Sequence, residues 1–260
     1  MKIEWTCGAD IEMMLEKDGK LISAVPLLPS DQHANKLPHG TVFHDNVLAE
    51  FTIKPASSHE EFVRYIRGNV HAIEQALSKN GVKTRIAASA HYPESELESD
   101  QAKRFGCSPD FDAYALVHNK VAAEAHETDL RSAGGHIHFS HPIFEDPYKI
   151  VEMIKLMDLF LGVPSIVLEQ SPAAAERRTL YGKAGAHRPK NYPGGEYRAL
   201  SNFWMKDEKT IQWVYDQTQK CLELLLSNQT VTELGFDEKE IQRIINEADI
   251  KAAKALMEAM

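Results

Sequence analysis

Polar and apolar residues alternate along the first part of the chain, a pattern typical of half-buried β-strands. Within residues 2–28 an alternating run and a second, apolar run flank a turn from Lys17 to Lys20, and this arrangement predicts a β-hairpin. Another strand is predicted over residues 41–55, because Pro55 ends a further alternating run. Each predicted strand therefore has one polar and one apolar face.

A helix is predicted directly after this strand. Ser58 and Glu61 have the three-residue spacing of a capping box, which marks a helix N-terminus. Apolar residues then recur at nearly helical spacing until Asn80 and Gly81 end the helix. These apolar residues are Phe62, Ile66, Val70, Ile73 and Leu77.

The second part of the chain mixes strands with helices. Strands are predicted over 84–90, over GGHIHFS (134–140) and over GEYRALSNFW (195–204). Two stretches have no periodicity: 172–195 is predicted to be a loop, and 91–112 is predicted to be a polar excursion that tucks in Phe105, Cys107 and Phe111. Helices are predicted from Pro147 to Leu161, over 207–227 and over 237–258, with Asp237 as the last N-cap.

This order of elements predicts an α+β fold with a largely antiparallel sheet. Most consecutive strands are joined by hairpins or long excursions, whereas parallel strands would need regular helical crossovers. No linker rich in Pro, Gly or Ser divides the chain. We therefore expect one domain over residues 1–260, with a helical C-terminal portion at about 207–260.

Composition and charge exclude several classes of partner. The chain is 43% hydrophobic and 26% charged, which is ordinary for a globular protein. Its net charge of -9 argues against nucleic-acid binding, which depends on Lys and Arg contacts to phosphates. No apolar run is long enough to span a membrane, and the N-terminus lacks a signal-peptide core. Three widely spaced cysteines without a CxxC pair indicate a reducing, cytoplasmic location.

Four predicted strands carry ionisable side chains at a spacing of two, which places them on a common face of each strand. A solvated sheet face would also alternate, but such a face normally mixes Thr, Ser, Lys and Gln. Carboxylates with some imidazole suit Mg²⁺ or Mn²⁺, whereas zinc usually selects His and Cys. The pattern therefore favours a metal site over a solvated face. The groups are Asp10 with Glu12, His136 with His138, Glu196 with Arg198, and Glu50 with Asn46 and Leu48.

A basic cluster interrupts this acidic chain, and it is either a solvated loop or a pocket for an anion. Guanidinium groups form bidentate hydrogen bonds with phosphate oxygens, and arginines beside metal-binding carboxylates suit phosphoryl transfer. The chain has no GxxxxGK[ST] motif and no GxGxxG after a strand, so a P-loop and a Rossmann site are excluded. The basic residues in question are Arg177, Arg178, Lys183, Arg188 and Arg198.

Six segments, in this order, resemble the COOH-NH2 ligase (amidoligase) superfamily of glutamine synthetase and glutamate-cysteine ligase relatives. The likeness is greatest to the phage-encoded type 2 ligases and extends from residue 8 to about residue 204. The segments are GADIE (8–12), NVLAEF (46–51), GCSPDFDAY (106–114), RSAGGHIHFS (131–140), RRTLYGKAGAHR (177–188) and EYRALSNFW (196–204).

The resemblance implies a curved antiparallel sheet of the glutamine synthetase catalytic-domain type, with flanking helices. It also implies a ligase that uses ATP and Mg²⁺ (or Mn²⁺) to join a carboxylate to an amine through an acyl phosphate. The carboxylate and the amine are expected to be small molecules or peptides, and an oligomer is compatible with this family. If a phage encodes the chain, the implied location is the host cytoplasm.

The resemblance also implies roles for individual residues. The implied metal ligands are Asp10, Glu12, Glu50, His136 and Glu196. Asp10 stands where many relatives have Glu, and which of His136 and His138 contacts the metal is open. The implied nucleotide contacts are His136, His138, Arg177, Lys183, Arg188 and Arg198, and the implied catalytic clamps on the γ-phosphate and acyl phosphate are Arg177, Arg178, Arg188 and Arg198.

The sequence is also compatible with two functions other than a ligase. A metal-dependent hydrolase would use the HxH motif and the acidic residues, but it would leave the basic cluster without a role. A non-catalytic binding or structural protein on the same fold would need neither metal nor nucleotide. Zinc retained through purification would favour the hydrolase, and activity that depends on Mg²⁺ and ATP would favour the ligase.

Overall fold

The computed structural model describes residues 4–103, 110–119 and 128–260. Strands in these ranges form one large sheet and one two-stranded sheet, and every strand pair is antiparallel. The strands are β1 (Thr6–Lys17), β2 (Lys20–Ile22), β3 (Lys36–Leu37), β4 (Gly40–Asp45), β5 (Leu48–Ile53), β6 (Val82–Arg85), β7 (Ser89–His91), β8 (Phe111–Asp112), β9 (Val117–His118), β10 (Leu130–Ser132), β11 (Gly135–Ser140), β12 (Ala186–Pro189) and β13 (Gly194–Tyr197).

The large sheet has the order β3-β4-β5-β1-β11-β13-β12-β8-β9, and β2 and β6 pair with the end of β1. The small sheet pairs β7 with β10. Helices flank these sheets, so the prediction of an α+β fold with an antiparallel sheet is confirmed. The helices are α1 (His59–Ser78), α2 (Pro147–Met157), α3 (Val163–Leu168), α4 (Pro172–Leu180), α5 (Glu208–Leu226), α6 (Glu238–Glu247) and α7 (Ile250–Glu258).

The predicted N-terminal hairpin is confirmed, with β1 as the long central strand of the sheet. Asp18 and Gly19 both have positive φ angles, of 51° and 75°. This is the backbone geometry of a type I′ turn, whose twist matches that of the two strands it joins.

The predicted strand over 41–55 is wrong, because the structure has two strands, β4 and β5, in this range. Asn46 lies between them with a φ of 52°, and its Oδ1 accepts a hydrogen bond from the Val47 N–H. Asn tolerates the left-handed conformation and closes such turns with its own side chain. The turn matters for the site described below, because it brings Asp45 opposite Leu48.

Helix α1 begins with the predicted capping box. Ser58 Oγ accepts from the Glu61 N–H at 3.2 Å, and Glu61 Oε2 accepts from the Ser57 N–H at 2.9 Å. The predicted apolar stripe faces the core, with Phe62, Ile66 and Ile73 buried.

The cap supports a stability prediction. Ser58→Ala is expected to lower the free energy of unfolding by about 1 kcal/mol in a urea titration, because the Glu61 N–H loses its partner. Ser57→Ala is the matched control, since Ser57 contributes its backbone N–H to the cap. Equal losses in the two variants would contradict this role for Ser58.

Several other boundaries differ from the predictions. Residues 84–90 form parts of two strands, β6 and β7, and the predicted strand over 195–204 ends at Tyr197 and continues into a 3₁₀-helix over Asn202–Lys206. The predicted loop over 172–195 is wrong, because it contains α4 and β12. Phe111 is partly buried in β8, while Phe105 and Cys107 lie outside the described residues.

The predicted helices of the second half are present, but two of them differ from the predictions in their boundaries or continuity. The helix predicted from Pro147 to Leu161 is α2, which continues into a π-helical turn over Asp158–Gly162 and then α3. The predicted 207–227 helix is confirmed as α5. The predicted 237–258 helix is divided into α6 and α7 at Ala248, which has a φ of 54°.

Helices α1, α2 and α5 pack on one face of the large sheet, polar side chains lie on the other face, and α4 packs against the small sheet. The apolar members of the strands, including Ile11, Phe51, Ile137 and Tyr197, are buried in the main core with residues of α1, α2 and α5. A smaller cluster around Met14 and Tyr92 covers the opposite face beyond Glu12. Among the described residues, no helix combines the length and the hydropathy needed to cross a bilayer.

Candidate active site

Strand register gathers the predicted polar pairs on one face of the large sheet. Asp10 lies opposite His136, and Glu12 lies opposite Glu50. His138 lies opposite Glu196, which in turn lies opposite Arg188. Because directly opposite residues of antiparallel strands point to the same face, these side chains form a continuous surface across β5, β1, β11, β13 and β12. We call this surface the polar wall: Asp10, Glu12, Glu50, His136, His138, Arg188 and Glu196.

One part of the polar wall is a cluster of Asp10, His138 and Glu196, whose candidate ligand atoms lie within 4.8 Å of one another. His138 Nε2 lies 3.1 Å from Asp10 Oδ2 and 3.8 Å from Glu196 Oε2. Burial raises the pKa of Glu196, but the Arg198 guanidinium foremost, together with the nearby wall histidines and Lys190, holds that pKa far below its usual range. Glu196 is therefore an anion at any physiological pH. We call this group the Glu196 cluster.

A second cluster joins Glu12 and Glu50 with Asp45, again with oxygens within 4.8 Å of one another. Burial and the neighbouring Asp45 charge raise the pKa of Glu12 to about 7. Burial and three nearby carboxylates, Glu12 foremost, raise the pKa of Glu50 well above its usual value. We call this group the Glu12 cluster. Asp45 was missed by the sequence analysis, because the β4–β5 turn that points it at this cluster was not recognised.

Both clusters have donor sets that fit a divalent cation. The Glu12 cluster offers carboxylate oxygens alone, the ligands that Mg²⁺ and Mn²⁺ prefer. The Glu196 cluster adds one imidazole nitrogen to two carboxylates, a set that Mn²⁺ and Mg²⁺ accept. Three mutually repelling carboxylates also make the Glu12 cluster a place where a cation would be strongly stabilising. The structure thus divides the implied metal-ligand set, with Glu12 and Glu50 in one group and Asp10 and Glu196 in the other.

His136 lies differently from His138. Its Nδ1 accepts a hydrogen bond from Arg198 Nη1 at 3.2 Å and lies 3.5 Å from Glu196 Oε1. Burial and the Arg198 charge hold the pKa of His136 well below its usual value, so this ring is neutral. Of the two histidines, His138 lies in a candidate metal cluster and His136 contacts the arginine. The implied role of His136 as a metal ligand stays a prediction.

The raised pKa of Glu12 predicts a pH dependence of stability in the metal-free protein. The folded state keeps a proton that the unfolded state releases between pH 4.5 and about 7, so the free energy of unfolding is expected to fall as pH rises through this window. The loss is about 1.4 kcal/mol per unit of pKa difference. Urea titrations from pH 4.5 to 7.5 should show a shallower fall in Glu12→Gln, and identical profiles would contradict the raised pKa.

Arg198 lies at the centre of the charged groups. Its Nη1 donates to Glu196 Oε1, and its Nε lies 3.3 Å from Asp110 Oδ2. Arg177 approaches from α4, where its guanidinium donates to the carbonyl oxygens of residues 198–200. The Nε of Arg177 is buried and has no hydrogen-bond partner among the described residues. Arg177 therefore fixes the backbone after β13 and retains one N–H donor.

The other implied phosphate contacts occupy different positions. Arg188 is on the polar wall opposite Glu196. Arg178 donates to Ala174 O of its own helix and lies outside the cleft described next. Lys183 is exposed and also lies outside that cleft. The implied roles of Arg178 and Lys183 stay predictions.

A cleft borders the Glu12 cluster and continues to α4. Gly134 forms part of its floor, where its N–H donates to Glu12 Oε2 at 2.5 Å, and a Cβ at this position would collide with the His136 ring. Arg131 and Asp110 lie within the segments 131–140 and 106–114 that resemble the ligase family, but they are not among the site residues predicted from sequence. The cleft is lined by Glu12, Asn46, Leu48, Asp110, Arg131, Ser132, Gly134, His136, Arg177, Tyr181, Gly182 and Arg198.

Arg131 is a buried residue of this cleft, and its guanidinium is held largely by backbone. It donates to the carbonyl oxygens of Thr128, Leu130 and Ala102 and to Asn46 Oδ1. These bonds tie β10 to the β4–β5 turn and to the segment before residue 104. Arg131 thereby places a fixed positive charge in the cleft wall.

Comparison with known proteins identifies the family. No curated protein sequence matches the chain. A crystal structure of a bifunctional glutathione synthetase from Pasteurella multocida is similar over 98% of this chain, with 10% sequence identity and a TM-score of 0.47. The matched region covers 49% of the length of that structure's chain. The family model described as phage phiEco32-like COOH.NH2 ligase-type 2 matches residues 118–257, more than half of the chain. The chain therefore belongs to the phage phiEco32-like COOH.NH2 ligase-type 2 family.

Proposed function

We propose that the chain joins a carboxylate to an amine in a reaction that uses ATP and Mg²⁺ or Mn²⁺ and passes through an acyl phosphate. Membership of a carboxylate-amine ligase family supports the reaction class. The observation that carries the rest is the polar wall, where two acidic clusters lie beside arginines on adjacent strands. The assignment of the sheet to the glutamine synthetase catalytic-domain type is part of this proposal, and the antiparallel pairing supports it.

The chemical problem is the approach of two anions, the triphosphate of ATP and the carboxylate that attacks it. In this proposal the Glu12 cluster and the Glu196 cluster each hold one divalent ion. Bound ions would supply the positive charge that lets the two anions meet. Arg188 and Arg198 are placed beside the Glu196 cluster, where their guanidinium groups can contact phosphoryl oxygens. Positioning of the two reactants then supplies most of the rate.

We assign the acid substrate to the cleft beside the Glu12 cluster. Its carboxylate would face Glu12 and the arginines, and Ser132 and Tyr181 also line this cleft. An acyl phosphate reacts readily with water, so the amine must reach it in a closed site. The acid and the amine are proposed to be small molecules or peptide ends.

Mass spectrometry tests this proposal directly. Pools of carboxylates and amines incubated with ATP and Mg²⁺ should give a product lighter than the sum of its two parts by one water, together with ADP and phosphate. With an acid labelled with ¹⁸O in its carboxylate, one ¹⁸O should appear in the released phosphate, because the acyl phosphate transfers that oxygen. A product without ¹⁸O transfer would exclude the acyl phosphate, and hydrolysis that needs zinc but no ATP would favour the hydrolase.

A further inference from the structure

A buried carboxylate lies behind the polar wall, on the core side of the sheet. Asp158 is fully buried and begins the π-helical turn between α2 and α3, in which the Val163 N–H donates to Asp158 O. A π-turn inserts an extra residue into a helix and frequently occurs at functional sites. An ionised carboxyl is also costly to bury, and an apolar side chain of similar size would avoid that cost.

The two oxygens of Asp158 hold two separate parts of the sheet. Oδ1 accepts from the Tyr197 hydroxyl at 2.7 Å, and Oδ2 accepts from the Gly185 N–H at 2.6 Å. Gly185 O in turn accepts from the Ala113 N–H at 3.0 Å. The phenol of Tyr114 lies near the same carboxylate, and burial together with the Asp158 charge raises the pKa of that phenol well above its usual value.

Each of these contacts lies one to three residues from a group on the polar face. Tyr197 is between Glu196 and Arg198, and its side chain points to the core because successive strand residues alternate. Gly185 precedes β12, which carries Arg188. Ala113 follows β8 and lies three residues from Asp110, the partner of Arg198. One side chain therefore holds two pieces of the chain directly, at Tyr197 and Gly185, and a third, at Ala113, through Gly185.

We propose that Asp158 is a positioning residue that sets the geometry of the Glu196 cluster from the opposite side of the sheet. The proposal rests on the proposed function, because it assumes that this cluster binds a divalent ion. Asp158 bonds to β13 and to the segment before β12, whereas the Glu12 cluster lies on β1, β4 and β5, which these bonds do not touch. Its loss should therefore affect one ion site and spare the other.

Mn²⁺ titrations separate the two sites if each is measured in a protein whose other cluster has been disrupted. In Glu50→Gln protein the Glu196 cluster remains intact, and in Glu196→Gln protein the Glu12 cluster remains intact. Adding Asp158→Ala to the first background is expected to weaken Mn²⁺ binding about tenfold or more, the range for lost outer contacts of a metal ligand. Adding it to the second should leave the affinity unchanged. Asp158→Asn should restore binding, because its amide can accept from the Gly185 N–H and donate to the Tyr197 oxygen.

Thr218→Val is the control for a merely structural effect, since the buried Thr218 hydroxyl donates to Val214 O within α5. It should lower thermal stability without changing either Mn²⁺ affinity. If Asp158→Ala weakens both sites equally, or neither, while the two backgrounds still bind Mn²⁺, the positioning role is wrong and the proposed function stands. If the unaltered protein binds no Mn²⁺, the metal-dependent function and the positioning role both fail.

Discussion

Replacing Glu196 with Gln is expected to reduce ligase turnover by at least about a hundredfold, the cost of losing one preorganised electrostatic group at a reaction centre. Glu196 is the anion that Arg198, Lys190 and both wall histidines face, with Lys190 Nζ 2.5 Å from Oε2. Gln keeps the size of the side chain but removes the charge. The Glu196 cluster then loses a metal ligand, and the cations around it repel any bound ion. Steady-state ATP turnover with saturating acid and amine measures the effect.

Glu169→Gln is the matched control for this experiment. Glu169 is also a carboxylate beside arginines, but burial raises its pKa, it accepts from Ser201 Oγ, and it lies outside both acidic clusters. We expect Glu169→Gln to retain turnover and Glu196→Gln to lose it along with Mn²⁺ binding at one site. Turnover in Glu196→Gln within a factor of about three of the unaltered protein, under about 0.7 kcal/mol of barrier, would remove Glu196 from the proposed mechanism.

Replacing Arg177 with Lys is the second change for which we expect a large effect. The planar guanidinium of Arg177 donates to the carbonyl oxygens of Arg198, Ala199 and Leu200. The ammonium group of a lysine cannot reproduce this arrangement of donors. Buried carbonyls left without donors cost about 1–3 kcal/mol each. The backbone that carries Arg198 should shift, and a displacement of about 1 Å at a reaction centre can cost about a hundredfold in rate.

Arg178→Lys is the neighbouring control, since it changes the same residue type one position along the same helix. Arg178 bonds to Ala174 O and lies outside the cleft, so little change in turnover is expected, and a large loss would instead support the implied role of Arg178 as a clamp. Turnover and the free energy of unfolding should be measured for both variants. Equal losses of turnover in the two variants would show that the contacts of Arg177 with the residues after β13 have no special role.

The sequence pattern correctly predicted those strands and helices that have strong local sequence signals. Alternation and the turn residues Asp18 and Gly19 identified the first hairpin, and the capping box identified the start of α1. The spacing of two residues also predicted which side chains share a face within each strand, and strand register brought these faces together. Such features depend on neighbours within a few residues, so the sequence alone carries them.

Other features depend on contacts between distant segments. Asp45 joins the Glu12 cluster through the Asn46 turn, and Asp110 meets Arg198 across 88 positions of sequence. Helix α4 falls within the predicted loop because its short sequence, PAAAERRTL, has only a weak apolar stripe. Its position comes from Arg177, which holds the residues after β13, and from Ser89 Oγ, which donates to Ala173 O. Tertiary contacts can override weak local preference in such segments.

The sequence by itself determined the type of sheet and the side chains that it carries. The sheet is antiparallel, one face is rich in carboxylates and imidazoles, and arginines lie close by in the chain. The tertiary structure alone decided how those side chains are divided. It placed Glu12 and Glu50 with Asp45 and placed Glu196 with Asp10 and His138. The reason is that a strand fixes which way its side chains point, whereas register between strands and the packing of distant turns fix which of those side chains meet.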